Sequence, residues 1–261
     1  MNAASSAARR YLDRDRLRSR LIGVGFLGAI AATLELVSAA GLVSRFLMPP
    51  PSAVAASFHR LFVRNDLLHY FLISASEVFM AAILAIALGA TVGWLLYVRP
   101  VAWRAFTSWI VALNATPVLL LFPLFLVIFG RGKFTIVALA VTSGLPPIIV
   151  KTREAFVAVR PVLIEVGRSF NLDPVRQFWL IELPAAAPVI VGGIRVGVFY
   201  TLSAVIGLEF LTGFGGLGAL IPDLAERYDL AAMYGAILFV ILTSVTFLSL
   251  IKRVERWLKP Y

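Results

Sequence analysis

Glu165-Val166-Gly167-Arg168-Ser169-Phe170-Asn171-Leu172-Asp173-Pro174-Val175-Arg176-Gln177-Phe178-Trp179-Leu180-Ile181-Glu182-Leu183-Pro184 is a polar, basic stretch set between two long apolar runs, roughly 134–150 and 185–211. Working outward, the whole chain is 60% hydrophobic and 15% charged over 261 residues. Soluble domains hold about 45–50% apolar and about 25% charged residues. The composition is that of an integral membrane protein. A polar segment between two spans then meets water, where it can dock another protein.

Six apolar segments emerge: 21–43, 71–98, 106–129, 134–150, 185–211 and 232–251. Each approaches or exceeds the ~20 residues of a membrane-crossing helix. The runs are continuous rather than alternating, which excludes barrel strands. The expected fold is all-α, with six transmembrane helices. A basic arm, 1–20, precedes the first run. That run is too long for a signal-peptide core and is expected to be retained. The remaining divisions are an outer loop with a short helix at 44–69, a core at 70–255 that includes the segment 151–184, and a tail at 256–261.

Basic residues in the loops set the orientation. With the N-terminus inside, the inner segments carry seventeen: six arginines from Arg9 to Arg20, then Arg99 and Arg104, then Lys151, Arg153, Arg160, Arg168 and Arg176, then Lys252, Arg253, Arg256 and Lys259. The outer loops carry six: Arg45, Arg60, Arg64, Arg131, Lys133 and Arg227. Both termini and the segment 151–184 are therefore expected in the cytoplasm. The net charge of +10 is spent on topology, so no nucleic-acid partner is expected. Two outer loops carry local signals. Pro49-Pro50-Pro51 is stiff and extended, with Ser52 expected to cap a helix through Phe62. The 212–231 loop is rich in glycine, a backbone tolerated at membrane depth only inside protein or beside a cavity.

Chemistry is scarce. The chain lacks cysteine and has two histidines, His59 and His69, so no metal or catalytic constellation is visible. Gly132-Lys133 fails as a phosphate-binding loop, because Val127 stands where the first glycine is needed and Phe134 where Ser or Thr is needed.

Within 151–184 the pattern is two short helices with a sharp break. Val162, Leu163, Val166 and Phe170 form an apolar stripe on the first. Asn171 suits a left-handed helix end, and Asp173-Pro174 reads as N-cap and first position of the next helix. These residues resemble the signature of inner membrane subunits of ATP-binding-cassette importers: Glu-Ala-Ala, three residues, Gly, nine residues, Ile-x-Leu-Pro. Glu165, Ile181, Leu183 and Pro184 match in type and spacing. Val166 and Gly167 replace the alanines, and Asn171 replaces the glycine. Glu154-Ala155-Phe156 imitates the start but has no matching proline.

The wider chain, 45–255, resembles the branch of that family that imports sulfonates, taurine, nitrate or bicarbonate. Pro49-Pro50-Pro51-Ser52, Thr116-Pro117, Phe129-Gly130, and Glu209 with Gly216-Leu217-Gly218 carry that likeness. Glu77 departs from it, standing where the family often has arginine. The resemblance implies a coupling helix at Glu165 seated in a cytoplasmic ATPase, two ATPase subunits, a second copy of this chain, and an extracytoplasmic substrate-binding protein. ATP and Mg would belong to the ATPase, with no cofactor on this chain. The solute would be a small anion, with a vitamin precursor or aromatic acid as the alternative. Localisation would be the bacterial inner membrane, in contact with lipid.

Polar residues inside spans are costly and often functional. Arg195 and Glu209 either line a pathway or tie helices together, with snorkelling as a further reading for Arg195, and their fourteen-residue separation prevents direct pairing within one helix. Asn114, Thr116 and Pro117 mark a break in the third span, which accompanies either a pathway or a simple kink. Glu35 and Glu77 are expected at structural positions. A gradient-driven transporter or channel is the competing function; it would need linked intramembrane carboxylates and inverted repeats.

Overall fold

The structure, a computed structural model, describes residues 2–44 and 46–258, so Arg45 and Lys259 lie outside the described residues, as do all side chains of the 1–20 arm except the exposed Arg18. Every described element is helical: α1 (Asn2–Ala39), α2 (Pro51–Val63), α3 (Leu67–Val98), α4 (Pro100–Ala115), α5 (Phe122–Phe129), α6 (Lys133–Val157), α7 (Pro161–Ser169), α8 (Pro174–Gln177), α9 (Leu183–Thr212), α10 (Gly216–Glu226) and α11 (Leu230–Leu258). Five helices are long and apolar enough to cross a membrane, and six crossings result when α4 and α5 count as one bent span.

The central layer is α3, α6 and α9. Without a hydrophobic drive between helices in lipid, close packing needs small residues. Gly144 and Gly197 meet face to face: a Cβ built on Gly197 would lie 2.7 Å from the Gly144 carbonyl, and one built on Gly144 would lie 2.9 Å from the Gly197 carbonyl. Gly93 of α3 likewise admits the Ile149 carbonyl. Around these seams Val78, Ala81, Ala85, Ile136, Leu139, Ile148, Val205 and Leu208 form the buried core. A second apolar cluster (Leu61, Leu67, Leu217, Leu220, Leu224, Ala232 and Ala236) joins α2, the start of α3, α10 and α11.

Several boundaries differ from the hydropathy reading. The arm and first span form one helix ending at Ala39 rather than Val43. The helix α6 continues seven residues past Val150, and α9 starts at Leu183. Hydropathy registers contact with lipid, whereas a helix continues into water while its backbone bonds are made. The run 106–129 is bent by 97° at Thr116-Pro117. Ser52 is not a cap: the N-cap of α2 is Pro50, and Ser52 instead donates its N–H and hydroxyl to Glu35 of α1 at 3.1 and 2.6 Å. The glycine-rich 212–231 loop contains the eleven-residue helix α10, which packs on α9, α3 and α11.

Charges mark one membrane boundary. Lys133 and Lys151 bracket α6 over about 27 Å at 1.5 Å per residue, close to the ~30 Å hydrocarbon core. At the Lys151 end, Lys151 pairs with Glu154 and Arg195 with Glu255, both at 2.7 Å. Arg195 therefore stands at this boundary, twelve residues beyond the start of α9.

Candidate functional site: an exposed hairpin and a cavity at the bent span

The segment 161–184 projects beyond this boundary. Arg160 is extended and Pro161 opens α7. Asn171 takes a left-handed conformation with φ 53°, so the Asn171 and Leu172 N–H groups bond back to the carbonyls of Arg168 and Gly167 at 2.9 and 3.1 Å. Asp173 then caps α8, accepting from the Arg176 N–H at 3.0 Å. A wide turn, Phe178–Glu182, leads into α9, with Leu183 and Pro184 at its start.

Two contacts brace this hairpin. Gly167 is the one buried residue of α7, and a Cβ there would lie 2.7 Å from Cδ1 of Ile181. Gly167 and Ile181, one residue from each half of the signature, are thus packed on one another. Phe178 stacks on Phe156 with centroids 5.7 Å apart and meets Trp94 edge-on at 5.8 Å. It roots the segment in α6 and α3, beside a cluster of Ala155, Val159, Ala186 and Ile190 that Ile164 and Leu183 join. The apolar stripe read on α7 does not fold inward. Val162 and Val166 are exposed, and so are Phe170 at 75% and Trp179 at 61%. Glu165 is exposed and has no hydrogen bond or ion pair with the described residues. Apolar side chains in water beside a membrane form an adhesive surface without a partner in this chain.

The second feature is a cavity of about 220 Å³ at the bend of the third span. Asn114, Thr116, Pro117, Val118 and Leu119 supply one wall, and Ser143 of α6 with Tyr200, Ser203, Ala204 and Leu208 of α9 supply the rest. Thr116 breaks the helix in an extended conformation with ψ 130°, while its hydroxyl donates to the Ala112 carbonyl at 2.8 Å. Ser143, Tyr200 and Ser203 were not singled out in the sequence. Their polar groups at helical spacing in an apolar run were the available signal.

Arg195 and Glu209 are elsewhere. Arg195 donates to Glu255 of α11. Glu209, fully buried, accepts from the Gly218 N–H at 2.8 Å and from the Ser74 hydroxyl, which itself accepts from the Leu217 N–H at 2.7 Å. It pins the start of α10 to α9. Gly216, with φ 77°, makes room for this carboxylate. Glu77, 1% exposed, reaches Glu209. This is the carboxyl linkage that a gradient-driven transporter would need, but here it is sealed under α10 and does not line the cavity.

Residues 85–260 match the sequence profile of a family described as binding-protein-dependent transport system inner membrane component. Over 214 residues the chain is 22% identical to the taurine transport system permease protein TauC of Escherichia coli (strain K12), covering 80% of this chain and 78% of the relative. Over 156 residues it is 31% identical to the riboflavin transport system permease protein RibX of Chloroflexus aurantiacus (strain ATCC 29366 / DSM 635 / J-10-fl), covering 59% and 58%. Among solved structures, a chain of the MetNI methionine ABC transporter in an inward facing conformation superposes with a TM-score of 0.64 at 20% identity, over 74% of this chain and 96% of that one.

Proposed function

Since the chain belongs to the family of binding-protein-dependent transport system inner membrane components, and is the permease subunit of an ABC importer in the bacterial inner membrane, we propose that residues 161–184 are the surface on which a cytoplasmic ATPase drives it. The observation that carries this reading is the exposed apolar face of Val162, Val166, Phe170 and Trp179 on a hairpin held rigid by Gly167 against Ile181. Two ATPase subunits, holding ATP and Mg, would act on two copies of this chain, and closure of one pair would reorient the other as rigid bodies. An extracytoplasmic binding protein would deliver the solute.

The cavity supports a passage through Asn114, Thr116, Ser143, Tyr200 and Ser203, all uncharged hydrogen-bonding groups. Drug-sized ligands occupy about 300–1,000 Å³. A smaller cavity favours a compact solute, and we assign the sulfonate or taurine class over a flavin-sized one. Arg195 and Glu209 serve as helix fasteners in this reading rather than as pathway groups.

Replacing Glu165 by Arg, or Phe170 by Asp, is expected to abolish co-purification of the ATPase while membrane insertion stays at the wild-type level. Wild-type recovery of the ATPase with both variants would refute the docking surface. Ligand screening of the cognate binding protein, followed by ligand-stimulated ATP hydrolysis in the reconstituted complex, tests the solute class separately. Stimulation by riboflavin and not by taurine would overturn that assignment alone.

A further inference from the structure

We propose that the groove between α9 and α11 seats an anionic phospholipid of the leaflet bordering the coupling segment. The groove encloses about 490 Å³ and is lined by Arg195, Val196, Phe199, Val245, Leu248, Ser249 and Lys252. Its polarity is graded along the membrane normal. Arg195 and Lys252 lie at the boundary. From there Val196 and Phe199 ascend α9 into the apolar region, and Leu248 and Val245 do so on α11. This is the form of an amphiphile: a phosphate at the cationic end and an acyl chain against the apolar walls. A small soluble anion would use only the first.

Charge decides the class of headgroup. Arg195 gives Nη1 to Glu255 at 2.7 Å, yet its side chain keeps 41% exposure. A guanidinium has five N–H donors, so the pair leaves others for a phosphate. Lys252 is exposed and makes no ion pair among the described residues, which leaves its charge to the groove. Basic pockets of this kind between transmembrane helices are suited to acidic headgroups, with each Lys near a membrane surface contributing about 1 kcal/mol. A bound lipid would bridge α9 to α11 beside the Arg195–Glu255 link.

The test uses the full chain in nanodiscs of equal phosphatidylglycerol and phosphatidylcholine, with retained lipid counted by native mass spectrometry. Phosphatidylglycerol is expected to be enriched on the wild type. Lys252→Gln should reduce that enrichment about fivefold, the equivalent of the ~1 kcal/mol above. Val245→Trp fills the groove without changing its charge and should remove the retained lipid altogether. Equal retention of the two lipids by the wild type would overturn the proposal, as would unchanged retention in both variants. A shift from dimer to monomer in Val245→Trp with phosphatidylglycerol retention intact would identify the groove as a contact between copies and also overturn it.

Discussion

At the scale of single residues, the hairpin 161–184 rests on two positions where side-chain size and backbone hand are fixed by neighbours. A Cβ on Gly167 would press on the flexible end of Ile181 at 2.7 Å and meet Gln177 in ordinary contact at 3.4 Å. Gly167→Ala is therefore expected to be accommodated by a turn of the Ile181 side chain, which agrees with the alanine that the importer signature places there. Gly167→Leu overfills the contact and should cost about 1–3 kcal/mol. Asn171 holds φ 53°. Asn171→Gly is expected to leave stability unchanged or raised, while Asn171→Val pays about 1–2 kcal/mol for a left-handed β-branched residue. Thermal unfolding of the detergent-purified chain reads all four. Equal melting of Asn171→Gly and Asn171→Val would show that the bend does not constrain the segment. These features were legible in the sequence because a left-handed asparagine and an Asp-Pro helix start act within a few residues of themselves. That the segment meets water and can dock a protein was legible as well; that Val162 and Val166 turn outward with Phe170 was not, because an apolar stripe looks the same whether it faces this chain or another.

At the scale of elements, α10 depends on a partner that no local pattern names. Its first N–H groups are satisfied by Glu209 and Ser74, which lie on α9 and α3. Glu209→Ala is expected to strand the Gly218 N–H and the Ser74 hydroxyl at a cost of about 1–3 kcal/mol per group. Glu209→Gln should cost less, since the amide oxygen still accepts one bond while its NH₂ opposes the remaining donors. Hydrogen exchange at Leu217 and Gly218 is the measurement, and unchanged protection in Glu209→Ala would show that α10 is held by its apolar contacts alone. The sequence marked Glu209 as a costly charge that either lines a pathway or ties helices together; it did not name the groups tied, since the donors it meets come from residues that only helix crossing brings near. The cavity has the same origin. Asn114 and Thr116 advertised themselves by breaking a span, whereas Ser143, Tyr200 and Ser203 join them only through the packing of α6 and α9.

At the scale of the molecule, the hairpin 161–184 is spliced between α6 and α9, the two helices whose glycines meet. Their relative position should not change through the transport cycle. The chain has no native cysteine, so spin labels can be placed cleanly. Labels at the exposed Val157 and Val189 are expected to keep one distance when the ATPase is trapped with nucleotide. Labels at Trp109 of α4 and Phe134 of α6, both exposed, should change theirs. Movement between Val157 and Val189 would mean that α6 and α9 slide. The Gly144–Gly197 seam explains why they should not: with each backbone carbonyl lodged where a side chain would be, there is no slack for shear. A push at the short handle 165–184 then has one outlet, a tilt of the joined pair. The pair becomes a lever arm. Displacement grows with distance from the handle, so the wall of the cavity at Ser143 of α6 and Tyr200 of α9 would travel farther than the surface being pushed.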